Sequence, residues 1–161
     1  MSERWIANAS PLILLGKVGL LDVLTGLCPD LLVPDGVSQE LRLGPSTDPA
    51  RIWVEGDGAA RLAAIERVDP VVGAWDLGLG ESHVLTLCRT MPGTIAILDD
   101  RAARTCAVAL GIRVRGTLAV LVIAKREGLL RELEPILEEL AAKGMHLDPE
   151  LVTRTLRLAC E

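Results

Sequence analysis

One stretch of the chain joins a strand pattern directly to a helix pattern: Thr94-Ile95-Ala96-Ile97-Leu98-Asp99-Asp100-Arg101-Ala102-Ala103-Arg104. Its first five residues form a short apolar run with β-branched side chains, which predicts a buried strand. Its last four residues are typical of a helix. A strand followed by a helix is the unit from which parallel sheets are built. Because ligands gather at the carboxyl ends of such strands, the carboxylates of Asp99 and Asp100 are candidates for binding a hard cation.

The same alternation recurs along the chain. Strands are predicted at about 4–7, 31–33, 65–68, 94–98 and 112–114, and helices at 12–17, 20–27, 35–43, 49–53, 81–91, 101–110, 117–127, 131–143 and 149–159. Ser10-Pro11 predicts a helix start, since serine is a favoured N-cap and proline fits the first helical position. Strands that alternate with helices predict an α/β fold, with a parallel sheet and helices on both faces.

Length and composition predict one domain with an aliphatic core. The chain has 161 residues, 50% of them apolar, and contains no Phe or Tyr. It is long enough to bury a core. We expect the helices of residues 131–160 to form an appendage to that core. The longest uncharged apolar stretch, Leu118 to Ala124, is too short to span a bilayer. The four cysteines show no CxxC spacing, which disfavours a zinc site or a disulfide scaffold. Because the sequence shows no signal-peptide pattern, we expect a cytoplasmic protein.

Charge is distributed unevenly along the chain. The net charge of −5 argues against a general nucleic-acid binder. Between residues 101 and 131, however, seven basic residues accompany one acid, Glu127: Arg101, Arg104, Arg113, Arg115, Lys125, Arg126 and Arg131. A basic face beside an acidic pocket suits a phosphate-rich substrate, whereas the alternative is a set of ordinary solvated helix faces.

Three further polar residues occupy positions comparable to the tandem aspartates. Asn8 follows the first predicted strand, Glu40 lies on the helix after the second, and Glu81 opens a later helix. Each residue also has a structural explanation. In these explanations, an aspartate of the pair caps the following helix and Asn8 stabilises a turn. Glu81 interacts with the helix dipole, and Glu40 faces solvent.

Taken together, these residues predict a metal site. Carboxylates that converge at one edge of the sheet repel one another unless a divalent cation neutralises them. Mg²⁺ and Mn²⁺ prefer such oxygen ligands, and water bound to the metal becomes a nucleophile at neutral pH. The natural substrate of such a site is a phosphodiester. A receiver-type phosphoacceptor domain is disfavoured, because its acidic pair follows the first strand and the pair here follows a late one.

Five motifs resemble those of PIN-domain proteins of the VapC-like toxin type, in the right order over residues 5–155. They are Asn8-Ala9-Ser10-Pro11-Leu12-Ile13, Pro34-Asp35-Gly36-Val37-Ser38-Gln39-Glu40-Leu41, Leu79-Gly80-Glu81-Ser82, Leu98-Asp99-Asp100-Arg101-Ala102-Ala103-Arg104, and Gly116-Thr117 with Ala124-Lys125-Arg126-Glu127-Gly128-Leu129. The resemblance implies a PIN-like three-layer fold, with a central, mostly parallel sheet of four to five strands. It also implies a metal-dependent endoribonuclease, usually the toxin of a toxin–antitoxin pair and usually a homodimer.

The resemblance also implies roles for particular residues. The candidate metal ligands are Asn8, Glu40, Glu81, Asp99 and Asp100, and the sequence leaves open which aspartate of the pair is the ligand. Ser10 is expected to support the first motif from behind the ligands. The candidates for contacting the RNA backbone are Arg101, Arg104, Lys125 and Arg126.

One residue departs from the usual pattern of the family. The first motif usually begins with Asp, and Asn8 stands there instead. An amide oxygen still coordinates a hard cation, but it brings no negative charge, so weaker metal binding or a preference for Mn²⁺ is expected. The departure keeps a second hypothesis open, in which the protein is a catalytically weak or inactive module that binds RNA or protein.

Overall fold

A computed structural model describes residues 3–161. Its centre is a five-stranded sheet in the order β3-β2-β1-β4-β5, in which every pair of neighbours is parallel. The strands are β1 (Trp5–Ala7), β2 (Leu31–Pro34), β3 (Leu62–Ala63), β4 (Ile95–Ile97) and β5 (Arg113–Arg115). The predicted α/β fold with a parallel sheet is confirmed.

Ten α-helices flank the sheet in residues 3–161. They are α1 (Ala9–Lys17), α2 (Leu21–Leu27), α3 (Asp35–Leu43), α4 (Pro49–Glu55), α5 (Pro70–Gly73), α6 (Leu79–Thr90), α7 (Arg101–Ala109), α8 (Thr117–Arg126), α9 (Glu134–Ala142) and α10 (Pro149–Leu158), with a 3-10 turn at Asp57–Arg61. Within this part of the chain, no helix is long and apolar enough to cross a membrane.

The central strands β1 and β4 are buried along their whole length, as their continuous apolar sequences predict. They pair in the register Trp5↔Ile95, Ile6↔Ala96 and Ala7↔Ile97. The backbone N–H of Asn8 continues this ladder by donating to the carbonyl of Ile97 over 3.1 Å. Asn8 and the aspartates that follow β4 therefore leave the sheet at the same edge.

The core is aliphatic, as a chain without Phe or Tyr requires. Its largest fully buried side chains are all leucine or isoleucine. Leu133, Leu137 and Leu140, at the start and along the length of α9, and Ala159, just after α10, belong to the same hydrophobic cluster as the strands. The carboxylate of Glu161 accepts a hydrogen bond from the backbone N–H of Leu133 over 2.7 Å, which fastens the end of the chain to the start of α9.

The predicted edge strand at 65–68 is wrong. The edge strand is Leu62–Ala63, which pairs with Val33 and Pro34 of β2. Beyond it, the backbone N–H of Ile65 donates to the Asp35 carboxylate over 3.2 Å. This side-chain partner takes the backbone out of the sheet ladder, which alternation of apolar residues alone does not reveal.

The start of the first helix also differs from the prediction. Helix α1 begins at Ala9, so Asn8 and not Ser10 stands at the N-cap position. The side chain of Asn8 makes no capping hydrogen bond there. Its amide is instead free to make contacts across the edge of the sheet.

Candidate functional site

The packing of α3 against α6 brings Glu40 and Glu81 to the same place. The backbone N–H of Gly36, in the first turn of α3, donates to Nδ1 of buried His83 on α6 over 2.9 Å. A β-carbon at Gly36 would lie only 2.8 Å from the His83 ring, so glycine permits this close approach. Glu40 lies about one turn further along α3, and Glu81 lies in the first turn of α6.

Three side chains converge around Gly80, between the end of β1 and these two helices. The Asn8 amide nitrogen donates to Glu81 Oε1 over 3.0 Å, and the backbone N–H of Gly80 donates to Glu40 Oε1 over 2.7 Å. A β-carbon at Gly80 would lie 2.7 Å from Asn8 Oδ1 and 2.8 Å from Glu40 Oε2. Gly78 adjoins the same group, since a β-carbon there would be 4.0 Å from Glu40 Oε1.

The amide oxygen of Asn8 has no hydrogen-bond partner although it is buried. A buried polar atom without a partner in the protein carries a substantial free-energy cost, so it indicates strain, an ordered water molecule or a bound ligand. Asn8 Oδ1 and Glu40 Oε2 both border the space beside Gly80 that a β-carbon would fill. Two oxygens that share one small space, one of them from a carboxylate, fit a hard cation such as Mg²⁺ or Mn²⁺.

The tandem aspartates are held separately from this group. Asp99 accepts two hydrogen bonds from Thr117 at the start of α8, one from its backbone N–H over 2.8 Å and one from its hydroxyl over 2.6 Å. Asp100 is the N-cap of α7, with Oδ2 accepting from the backbone N–H of Ala103 over 2.9 Å. Asp99 thus has both oxygens engaged, whereas the exposed Asp100 keeps one oxygen for another partner.

The structure therefore divides the predicted ligand set. It brings Asn8, Glu40 and Glu81 together directly, and it places Asp99 and Asp100 just after β4, the strand next to β1, at the same edge of the sheet. Within residues 3–161, no three His, Cys, Asp or Glu side chains are grouped closely enough to hold an ion by themselves.

The predicted RNA-backbone residues fall into two groups. Arg101 and Arg104 lie in the first turns of α7, directly after the aspartates, and Arg104 Nη1 donates to the Leu98 carbonyl over 3.2 Å. Lys125 and Arg126 lie at the far end of α8, about 12 Å along the helix axis from its start. Both donate to backbone carbonyls there, over 2.6 and 2.8 Å, so the structure does not bring them to the site.

The structure gives Ser10 and Thr117 different roles from those that the sequence predicts. Ser10 is exposed in the first turn of α1, and the hydrogen bonds that join the three clustered side chains to their neighbours do not involve it. Thr117 is completely buried and holds Asp99, a role that sequence reasoning did not assign. The Gly116-Thr117 pair after β5 was the available signal, because a hydroxyl at that strand end lies beside the end of β4.

Cys88 offers no alternative chemistry on α6. It lies on the buried side of the helix, seven residues after Glu81, and burial raises the pKa of its thiol to about 11. The thiol is therefore neutral at physiological pH, whereas a nucleophile or metal ligand must be a thiolate.

The fold and the site together define a class of α/β protein, in which carboxylate and amide oxygens gather at the carboxyl edge of a parallel sheet. A family model described as DUF3368, PIN domain, matches residues 4–161, and the chain belongs to this PIN-domain family. PIN domains are typically metal-dependent nucleases, which gives the chain a nuclease-type function in general terms. No curated protein and no solved structure matches the chain.

Proposed function

We propose that this protein is a metal-dependent endoribonuclease and the toxin of a VapC-like toxin–antitoxin pair. The observation that carries the proposal is the buried, unpartnered Oδ1 of Asn8, which lies beside Gly80 together with a carboxylate oxygen of Glu40, while the amide nitrogen of Asn8 donates to Glu81. Arg101 and Arg104, close to this edge, supply positive charge for a phosphate backbone.

We assign the ligand role to Asn8, Glu40, Glu81 and Asp100. A bound divalent cation would supply an activated water molecule and would stabilise charge on the phosphate. Gly80 fixes Glu40 through its N–H and leaves the space that the oxygens need. Asp99 is a positioning residue, because both of its oxygens hold Thr117 and thereby the segment between β5 and α8.

The test of this proposal is cleavage of mixed short RNAs with Mn²⁺, with Mg²⁺ and with a chelator. We expect internal cleavage with either metal, faster with Mn²⁺ because the amide of Asn8 weakens the hold on Mg²⁺. Cleavage that continues unchanged in chelator would remove the metal-dependent mechanism.

The assignment of the aspartate pair gives a separate prediction. Asp100→Asn should keep the cap of α7, since Asn and Asp are equally good N-caps, but should lower cleavage about tenfold or more. Asp99→Asn should lower stability by about 1–3 kcal/mol, because its amide oxygen can accept from the N–H of Thr117 but its amide nitrogen cannot accept from the Thr117 hydroxyl, so a hydrogen bond to a charged group is lost. Thermal unfolding and RNA cleavage measure the two effects. A stable, inactive Asp99→Asn beside an active Asp100→Asn would reverse the assignment.

Restoring the carboxylate usual in the first motif gives another prediction. In Asn8→Asp, two carboxylates would face each other where the Asn8 amide now donates to Glu81. The variant should therefore melt at a lower temperature in chelator and show a larger rise in melting temperature on adding Mn²⁺. Each tenfold gain in metal affinity adds about 1.4 kcal/mol at saturation. An equal Mn²⁺-induced shift in both proteins would contradict the ligand role of Asn8.

One observation favours a second candidate function, a catalytically weak or inactive module that binds RNA or protein. The direct contacts around Gly80 join only two carboxylates, those of Glu40 and Glu81, to the uncharged amide of Asn8. Titration calorimetry separates the two functions. Measurable Mn²⁺ affinity supports the nuclease, and binding of RNA without Mn²⁺ affinity supports the module.

The proposed toxin role leads to expectations about partners and about the effect of expression on cell growth. We propose a cytoplasmic homodimer whose antitoxin is encoded by an adjacent gene and blocks the site. Expression of this chain alone should arrest growth, and co-expression with the neighbouring gene should relieve the arrest. The Glu81→Gln variant should cause no arrest, which links toxicity to the site.

A further inference from the structure

The helices that carry Glu40 and Glu81 both begin without a side-chain cap of their own. The N-cap residues are Pro34 for α3 and Gly78 for α6, and neither makes a side-chain capping hydrogen bond. An N-cap side chain normally accepts from the second or third N–H of its helix, which has no partner inside the helix. In α4, α5, α7 and α10 an aspartate does so: Asp48, Asp69, Asp100 and Asp148. The first turns of α3 and α6 therefore need partners from elsewhere in the fold.

Each of these two helices receives its cap from the other. Gly36 is the second residue of α3, and its N–H donates to His83 Nδ1 on α6 over 2.9 Å. Gly80 is the second residue of α6, and its N–H donates to Glu40 Oε1 on α3 over 2.7 Å. The acceptor side chain follows the donor glycine by four positions on α3 and by three on α6, so both lie on one face of their helix. The two hydrogen bonds thus form a reciprocal pair between α3 and α6.

Glycine at both donor positions lets the two helices come this close. A β-carbon at Gly36 would lie 2.8 Å from the His83 ring, and one at Gly80 would lie 2.8 Å from Glu40 Oε2. His83 is only 8% exposed, so water competes little for its hydrogen bond. Because both bonds cross the same contact, a shift of α3 away from α6 would stretch them together.

This contact sets the geometry of the candidate ligands. Glu40 uses one oxygen for the cap of α6, and its other oxygen lies beside Gly80 with Asn8 Oδ1. Glu81, in the first turn of α6, accepts from the amide nitrogen of Asn8. The placement of Glu40 relative to Glu81 therefore depends on how α3 docks on α6, and His83 contributes to that docking through the backbone of α3.

We propose that His83 is a positioning residue: by capping α3 from α6, it fixes where Glu40 lies relative to Glu81, and so the geometry offered to a cation. The proposal rests on the proposed function and adds a residue to it, since His83 follows directly after the motif Leu79-Gly80-Glu81-Ser82 and the sequence gave it no role. Without the acceptor, the buried N–H of Gly36 has no partner. Loss of a group that orients metal ligands typically weakens metal binding about 10–100-fold.

The test compares two replacements of His83 with the loss of a distant cap. His83→Leu removes the acceptor and should weaken Mn²⁺ binding, measured by titration calorimetry, about tenfold or more. His83→Asn places an amide oxygen close to the position of Nδ1 and should restore most of the affinity. The matched control is Asp148→Ala, which removes the side chain that accepts from Leu151 at the start of α10 over 2.8 Å. It should lower the melting temperature, as His83→Leu does, but should leave Mn²⁺ binding unchanged, because α10 carries none of the ligands.

A second measurement needs no metal. In chelator, hydrogen exchange followed by NMR reports the N–H groups of Gly36 and Gly80 separately. Because the two bonds cross one contact, His83→Leu should speed exchange at both glycines, whereas a purely local cap would affect Gly36 alone. Asp148→Ala should change exchange at neither glycine.

The outcomes separate this proposal from the nuclease proposal. If the unchanged protein binds no Mn²⁺, the nuclease proposal fails, and faster exchange at both glycines in His83→Leu still supports the positioning of Glu40 by His83. If the unchanged protein binds Mn²⁺ and His83→Leu binds it as tightly, with faster exchange at Gly36 alone, the role of His83 is overturned and the nuclease proposal stands. Should His83→Leu fail to fold, His83→Asn decides. A folded His83→Asn with slow exchange at both glycines supports the role of the acceptor, and an unfolded one overturns it.

Discussion

Replacing Glu81 with glutamine is expected to lower RNA cleavage at least about 100-fold, at the upper end of what altering a group around a metal costs. Glutamine has the same shape as glutamate, and its amide oxygen still accepts the 3.0 Å hydrogen bond from Asn8. The substitution therefore removes one negative charge from the cluster and little else. Cleavage of a labelled RNA with Mn²⁺ measures the loss, and thermal unfolding in chelator should be nearly unchanged.

The matched control for this prediction is Glu138→Gln. Glu138 lies on α9, is exposed and forms no ion pair within residues 3–161, so the same charge change there should leave cleavage unaltered. If Glu81→Gln retains full cleavage while the melting temperature also stays the same, Glu81 has no part in the reaction and the proposed site is wrong.

Replacing Gly80 with alanine is expected to cost at least about tenfold in cleavage with only a modest loss of stability. The added methyl group would lie 2.7 Å from Asn8 Oδ1 and 2.8 Å from Glu40 Oε2, so both oxygens must move. Both belong to the ends of side chains, so the cost of overpacking should be near the low end of about 1–3 kcal/mol. The two oxygens that must move, those of Asn8 and Glu40, belong to candidate metal ligands. Function therefore suffers more than folding.

Gly26→Ala is the control for this change. Gly26 lies on α2 with nothing within 4 Å of an added β-carbon, so alanine there should keep cleavage unchanged. It should also raise stability by up to about 1 kcal/mol, because alanine favours the helix. Cleavage rates and melting temperatures of both variants, with and without Mn²⁺, provide the comparison. An active Gly80→Ala that still gains stability from Mn²⁺ would show that no ion binds between Asn8 and Glu40.

Local pattern was sufficient to predict most of the fold. The apolar runs of β1 and β4 are buried on both faces, so their sequences carry the signal of a central parallel strand without help from other parts of the chain. The strand predicted at 65–68 was wrong, because the bond from Ile65 to Asp35 joins residues thirty positions apart in sequence. A window of neighbouring residues contains no information about such a partner.

The candidate site was predictable in part. Asn8 was singled out because it follows a strand, Glu81 because it opens a helix, and Glu40 because it lies on the helix after the second strand. The carboxyl ends of parallel strands share one edge, so these positions were expected to lie close together. Lys125 and Arg126 were grouped with them by charge and by the fifth motif, and the length of α8 carries both away from that edge. Proximity in sequence to a motif did not imply proximity in space.

By itself, the sequence determined the class of fold, the aliphatic core and the set of oxygen donors available for a cation. These follow from residue type and periodicity, which act over one strand or one helical turn. Only the tertiary structure decided that the unpartnered oxygen of Asn8 and a carboxylate oxygen of Glu40 both lie beside Gly80, that Thr117 donates to both oxygens of Asp99, and that α7 leaves a groove open beside β5. Each of these features depends on how the helices pack against the sheet. Around glycines such as Gly36 and Gly80 the packing is so close that a shift of a few tenths of an ångström decides which arrangement of side chains fits.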